Sequence, residues 1–452
     1  MHLHILGICG TFMGGIAAIA REAGHRVTGS DKNVYPPMSD QLRSLGIELI
    51  EGFEPDQLDM NPDVVVVGNV MSRGMPIVER LLNEKIPYTS GPAWLAEHVL
   101  NSQHVIAVSG THGKTTTSSL TAWLLEVAGL EPGYLIGGVA ANFDTTARLG
   151  KGDYFVIEAD EYDTAFFDKR AKFMHYGPQT LIVNNLEFDH ADIYKDMDAI
   201  LWQFHQMLRI LPGNGRVIAR AGEAEIIRLM EMGCWTPVDF FTSENDPTGK
   251  AWRVKRNSTG LLLTSGTEEW VSPPVALPGA HNLENAAAAI LAARDAGVSI
   301  EKSLQALADF KGVKRRLEHL GKFNGVNVYD DFAHHPTAIS LTLKALRESA
   351  TGKVLAVLEP RSNSMKLGAH RAALPQSLLG ADAVWMYQPA ELGWSLEADF
   401  SAVPEVSVHS DIQSIIADVV AHAKPGDELV IMSNGGFGGI HGQLCEALQN
   451  SD

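Results

Sequence analysis

Residues 108–125 read VSGTHGKTTTSSLTAWLL. The apolar run HVIAVSG, from His104, leads into a glycine turn and then into a helical pattern. Strand, glycine turn and helix in that order is the context that a phosphate-binding loop requires. The first backbone N–H groups of a helix have no intrahelical partner and the helix dipole is positive there, so phosphate oxygens bind. Gly110 and Gly113 let the backbone curl around phosphates without a Cβ clash. Lys114 is placed to reach β- and γ-phosphates, and the Thr115 hydroxyl suits Mg²⁺. The spacing is unusual, because the common loop is G-x-x-x-x-G-K-[ST] and here the two glycines sit two residues closer. On these residues alone the competing reading is an ordinary strand-to-helix turn that contains Gly-Lys-Thr.

Around this loop, short β-rich runs alternate with helical patterns along almost the whole chain, the signature of parallel sheets covered by helices. A chain of 452 residues is too long for one core and suits about three domains. The expected fold class is α/β in three domains. These are a Rossmann-like domain at 1–102, a central P-loop ATPase-type domain with a parallel sheet at 103–312, and a Rossmann-like α/β domain at 313–452. Residues 236–280 change character and are expected to form an antiparallel insertion.

The formal net charge is −18 and no Lys/Arg-rich run occurs, which argues against nucleic acid or an anionic membrane surface as partner. Cys9, Cys234 and Cys445 form neither a disulfide framework nor a zinc set, as expected of a reducing cytoplasm. The apolar start HILGICGTFMGGIAAIA lacks a basic leader and carries glycines that suggest a turn. No uninterrupted apolar run approaches about 18 residues, so no membrane helix is expected. The reading is a soluble cytoplasmic protein.

Two acidic strand ends accompany the loop. YFVIEADEYD supplies Glu158, Asp160, Glu161 and Asp163, and NNLEFDH supplies Asn184, Asn185, Glu187, Asp189 and His190. Ligands bind at the carboxyl edge of open α/β sheets, and hard cations take carboxylate oxygens. In the first domain, ILGICGTFMGG places glycines at 7, 10, 14 and 15, with Asp31 at the end of the next strand placed to accept ribose hydroxyls. By itself that loop favours a dinucleotide.

GTHGKTTT, EADE-x-D, N-x-E-x-DH, HNLEN and DDFAHHP, in this order, resemble the Mur ligase family. Its members are ATP-dependent amide-bond ligases of bacterial peptidoglycan precursors, and the compact G-x-x-G-K-T loop is their own form. The resemblance covers all three domains. It implies that Gly110, Thr111, His112, Gly113, Lys114, Thr115 and Thr116 hold ATP, with Asn282 and Asn285 near the adenine and Arg316 and Asp331 closing on the nucleotide. It implies Thr115 and Glu158 as ligands of one Mg²⁺ and His190 as ligand of a second cation. Lys114, Glu158, His190, Arg316 and Asp331 would form the catalytic set, while His334 and His335 are motif members without an assigned role. Gly7, Gly10, Thr11, Met13, Gly14, Ser30 and Asp31 would bind UDP-N-acetylmuramate, although Cys9 and Phe12 stand where glycines are more usual. Several members carry a carbamylated lysine on the helix after N-x-E-x-DH. Here that helix, MDAILWQFHQMLRILP, contains none.

LEPRSNSMKLG (358–368), VIMSNGGFGGIHGQL (430–444) and GNVMSRGMP (68–76) resemble one branch of the family. That branch joins UDP-N-acetylmuramate to the tripeptide L-alanyl-γ-D-glutamyl-meso-diaminopimelate in peptidoglycan recycling. Arg361, Ser362, Asn363 and Lys366 would then contact the acceptor, whose several carboxylates call for cationic and amide donors. The alternative branch adds L-alanine and tends to carry a Q-P-H-R stretch. A third reading, a dinucleotide-dependent oxidoreductase or nucleotide-binding protein built on the first domain, leaves residues 108–190 unexplained.

Overall fold

The computed structural model describes residues 1–34, 38–246, 248–258, 260–396, 400, 403 and 405–451. They divide into two compact units, one of residues 1–186, 200–275 and 284–311, the other of residues 187–199, 276–283 and 312–452.

The first unit holds two large sheets. One comprises β1 (His2–Leu6), β2 (Arg26–Asp31), β3 (Glu48–Glu51), β4 (Val64–Val67) and β5 (Tyr88–Ser90), in the order β3-β2-β1-β4-β5 with every pairing parallel. β1 is buried along its whole length, as a central parallel strand covered on both faces must be. β5 pairs with β4 in parallel and closes this edge of the sheet. The Ser90 hydroxyl accepts from Ala93 N–H and caps the next helix, Gly91–His98.

The central sheet contains β6 (His104–Ser109), β7 (Gly133–Leu135), β8 (Ala147–Arg148) and β9 (Tyr154–Glu158). β10 (Asp163–Ala165) and β11 (Asp168–Ala171) form a separate antiparallel hairpin. β12 (Thr180–Val183), β13 (Arg216–Arg220), β14 (Val238–Thr242), β15 (Trp252–Arg256), β16 (Leu261–Ser265) and β17 (Glu268–Val271) complete the sheet, in the order β17-β16-β15-β14-β13-β12-β6-β9-β7-β8. The antiparallel insertion expected over 236–280 is found only in the later part of that span. β14 and β15 continue the parallel sheet, and the β15–β16 and β16–β17 pairings are antiparallel. Without β14 the outer edge of β13 would be a row of unpaired backbone groups, and pairing it is cheaper than leaving it bare.

β6 lies between β12 and β9, so its carboxyl end opens where three strand tips meet. Helix Lys114–Val127 follows, burying Leu120, Leu124 and Leu125. On helix Ala280–Asp295, Ala286 to Ala289 are fully buried.

The second unit carries β18 (Glu318–Phe323), β19 (Val326–Asp331), β20 (Val354–Leu358), β21 (Ala383–Tyr387), β22 (Val406–His409) and β23 (Glu428–Met432). Their order is β18-β19-β23-β20-β21-β22, parallel except for β18 against β19.

Candidate active site

In the first unit the loop after β6 is gripped by β12's end. Thr111 N–H donates to Asn185 O at 3.0 Å. His112 N–H donates to Asn185 Oδ1 at 2.7 Å, and Asn185 Nδ2 donates back to His112 O at 3.1 Å. Gly110 and Gly113 have φ of +124° and +81°, a region that side-chain-bearing residues rarely enter. A Cβ on Gly110 would lie 2.9 Å from Asn185 O, and one on Gly113 would collide with Asn285 Oδ1. The loop has room for backbone alone.

Three polar side chains fix the start of the helix. Thr117 Oγ1 donates to Asn285 Oδ1 at 3.1 Å, and Asn184 Nδ2 donates to Thr117 Oγ1 at 2.9 Å. Thr116 is half-buried in the same turn. The Thr115 hydroxyl donates to Glu158 Oε1 at 2.9 Å, while Glu158 Oε2 accepts from Gly137 N–H at 2.7 Å. Lys114 Nζ donates to Gly110 O at 2.8 Å and to Glu161 Oε2 at 3.1 Å, with Asp160 at 3.9 Å. Burial on its own would lower the Lys114 ammonium. The charges of Glu161, Asp160 and Glu158 overcome that and hold it above the ordinary lysine range.

The four acids of YFVIEADEYD thus separate. Glu158 meets Thr115 and Glu161 pairs with Lys114, whereas Asp163 pairs with Lys169 at 2.6 Å on the hairpin. Asp160 pairs with Lys172 at 3.5 Å, a buried lysine that sequence reading missed. The Lys172 ammonium stands 5.2 Å from the Phe12 ring and 5.5 Å from that of Tyr162. Phe12, out of place in a glycine loop, covers this cation.

The first-domain loop is held from beneath. Gly7 and Ile8 N–H donate to Ser30 O at 2.8 and 3.2 Å. Asp31 accepts Cys9 N–H at 2.9 Å and Asn33 N–H at 3.2 Å, so both carboxylate oxygens secure backbone. Gly10 precedes helix Thr11–Glu22, in which Met13 and Gly14 are buried. Burial, with Asp31 adding to it, pushes the Cys9 thiol up to about 11, leaving it protonated at neutral pH.

In the second unit, Arg315 and Leu317 have φ of +61° and +50°, bracketing Arg316. Leu317 N–H donates to Asp331 Oδ2 at 2.6 Å and Ala333 N–H to Asp331 Oδ1 at 2.7 Å. Burial raises the Asp331 carboxyl, with Arg316 opposing. The guanidinium of Arg316 sits 4.9 Å from the centre of the Phe332 ring and that of Arg315 5.3 Å. Arg315 also donates to Ser433 O and Gly435 O, both at 2.8 Å, and to Asp330 at 3.1 Å. Asn282 Nδ2 donates to Pro278 O at 2.8 Å, just before its helix, while Asn285 serves Thr117.

Arg361 lies against Gly435, where a Cβ would strike its guanidinium, and stands 4.0 Å from Glu359 Oε1. Ser362 caps the short helix Asn363–Lys366 by accepting from Met365 N–H, and Asn363 Nδ2 donates to Asp192 at 2.8 Å. Lys366 is half-buried at that helix's end. Asp189 and His190 also belong to this unit, and His190 has φ of +55°. Burial works to raise the Asp189 carboxyl, but the His370 bond, the His190 charge and the Ser364 bond hold it far below the carboxylate range. His334 Nδ1 lies 3.0 Å from Phe332 O, and His335 Nδ1 accepts Thr337 N–H at 3.3 Å, capping helix Pro336–Ser349.

Three family models match this chain in order. "Mur ligase family, catalytic domain" covers residues 2–103, "Mur ligase middle domain" 108–293, and "Mur ligase, glutamate ligase domain" 315–435. The chain belongs to the Mur ligase family. It has the α/β fold class and the three domains expected from its length and its alternation of strands and helices, and its class of enzyme is the ATP-dependent ligase. It is 50% identical over 454 residues to the UDP-N-acetylmuramate–L-alanyl-gamma-D-glutamyl-meso-2,6-diaminoheptandioate ligase of Escherichia coli K12, covering 99% of this chain and 98% of that one. It is 31% identical to the UDP-N-acetylmuramate–L-alanine ligase of Rhizobium etli, covering 96% and 94%. The crystal structure of a murein peptide ligase from Psychrobacter arcticus 273-4 matches with a TM-score of 0.76 at 44% identity, covering 100% and 99%. Among the described residues, no helix of this Mur ligase is long and apolar enough to cross a membrane.

Proposed function

We propose that the protein joins UDP-N-acetylmuramate to L-alanyl-γ-D-glutamyl-meso-diaminopimelate at the cost of ATP, returning recycled tripeptide to peptidoglycan synthesis in the cytoplasm. The observation that carries this reading is the whole-chain identity of 50% to the ligase bearing that acceptor in its name, against 31% for the L-alanine ligase.

Residues 1–102 are assigned to UDP-N-acetylmuramate, with its pyrophosphate on Gly7, Gly10, Thr11, Met13 and Gly14 and with Ser30 and Asp31 behind them. Residues 103–312 are assigned to ATP, and 313–452 to the acceptor. The Thr115 hydroxyl and the Glu158 carboxylate, 2.9 Å apart, are hard oxygen donors that suit Mg²⁺, which neutralises phosphate charge when bound. His190 is assigned to a second cation.

Lys114 and the N–H groups of residues 110–116 stabilise charge as the muramate lactyl carboxylate attacks the γ-phosphate, releasing ADP and leaving an acyl phosphate. Arg316 and Asp331 close on the nucleotide, with Asn282 and Asn285 toward the adenine. The free alanyl amine then attacks the acyl carbon, forming the amide and expelling phosphate. Arg361, Ser362, Asn363 and Lys366 are assigned to the acceptor.

The test is ADP release with UDP-N-acetylmuramate and a panel of acceptors. Turnover with the tripeptide far above that with L-alanine is expected. Preference for L-alanine would transfer the protein to the other branch.

A further inference from the structure

Residues 187–199 follow β12 in the chain yet pack in the second unit, and a small buried network holds them there. Asp189 Oδ1 accepts His190 N–H at 2.7 Å, the Ser364 hydroxyl at 2.7 Å and His370 Nε2 at 3.4 Å. The Ser364 oxygen in turn accepts Ala191 N–H at 3.2 Å. Asp189, Ser364 and His370 are 6%, 2% and 7% exposed, so water does not compete for these bonds. The His335 ring meets that of His370 edge to face with centroids 4.4 Å apart. Within this frame His190 takes a left-handed backbone, which a residue with a side chain keeps only when its surroundings impose it.

We infer that Ser364 and His370 are positioning residues: through Asp189 they hold His190 in its left-handed conformation, and they tie it to the short helix Asn363–Lys366. The inference rests on the reading above, in which His190 serves the reaction and residues 361–366 engage the acceptor. That helix reaches the His190 loop at a further point, the Asn363 amide on Asp192. The acceptor segment and the His190 loop therefore form one hydrogen-bonded body, and the His190 backbone is set by residues more than 170 positions away in the chain.

The test uses the full-length protein as Ser364→Ala and His370→Ala, with Ser364→Thr and His370→Gln as variants that keep a donor. Two quantities are measured: amide hydrogen exchange over 189–194 in the free protein, and kcat and KM with ATP, UDP-N-acetylmuramate and tripeptide. Each alanine variant is expected to exchange at least about tenfold faster over 189–194 and to lose about tenfold or more in kcat, the usual consequence of removing a bond to a buried charged group. KM for ATP and for UDP-N-acetylmuramate should stay within about twofold, and the donor-keeping variants should recover most of both losses. Unchanged exchange in the alanine variants overturns the inference, as does faster exchange with undiminished kcat in an active background. Kinetic losses that the donor-keeping variants fail to recover also overturn it. A wild type that releases no ADP with these substrates overturns the functional reading and this inference together, so the two failures are distinguishable.

Discussion

Lys114 Nζ and Glu161 Oε2 face each other at 3.1 Å, with the Glu161 side chain only 4% exposed. Glu161 is thus the charge partner of the loop lysine. In the proposed function a triphosphate would compete with this carboxylate for the ammonium. Removing one member of a buried pair strands the other, which costs more than the pair contributes.

Lys114→Met should therefore lose stability as well as turnover, by about 3–5 kcal/mol. Lys114→Met/Glu161→Gln should regain most of the lost melting temperature while staying inactive. Thermal melts of the two variants settle the matter, and coincident melts would show that Glu161 does not depend on Lys114 for its charge balance.

Gly113 meets two demands at once, a left-handed φ and the absence of any atom before Asn285 Oδ1. Gly113→Ala should cost about 1–2 kcal/mol in backbone strain alone and should abolish measurable ADP binding by calorimetry. Gly129 provides the control, since its φ is +82° but nothing lies within 4 Å of a Cβ there. Gly129→Ala should show similar strain with ADP affinity intact.

The first sheet contains a pH-sensitive pair. His4 is fully buried and shares the Thr28 hydroxyl with His2, at 2.9 and 3.0 Å. Burial, aided by His2 and opposed by Gln57, brings the His4 imidazole down to about 4. In the unfolded chain a histidine titrates near 6.5, so between pH 6.5 and 4 the unfolded state binds more protons. Stability is full above pH 6.5 and falls as pH drops toward 4, by about 3 kcal/mol from this group. Urea unfolding midpoints from pH 7.5 to 4.5 should fall less steeply in His4→Gln; parallel curves would remove His4 from the account.

Arg361 is half exposed beside Gly435, with Glu359 at 4.0 Å. A carboxylate of the acceptor is the expected partner for its free donors. Arg361→Ala should raise the tripeptide KM by about tenfold or more and leave the ATP KM nearly unchanged. Equal effects on both would withdraw Arg361 from the acceptor.

The loop at 108–116 was legible because its requirements are local. Apolar alternation makes the strand, the glycines permit the turn, and the orphan N–H groups follow from the start of any helix. The motif order carried the family, and the alternation of β-rich and helical runs carried the α/β class. Local pattern misled at the start of 236–280, where β14 pairs with β13 and β15 with β14, both in parallel. It also misled at Asp163, which the hairpin takes to Lys169. Sheet edges and hairpin registers depend on neighbours that a window of sequence does not contain.

Residue types and spacing alone determined that Lys114, Thr115 and an acidic strand end would share one sheet edge, since β6 and β9 each end in their motif. Only the tertiary structure decided the pairings: Glu161 with Lys114 across 47 residues, Asn185 with His112 across 73, and Ser364 with Asp189 across 175. Backbone periodicity is written in consecutive residues. Which buried donor satisfies which buried acceptor is settled by the order in which strands are laid side by side.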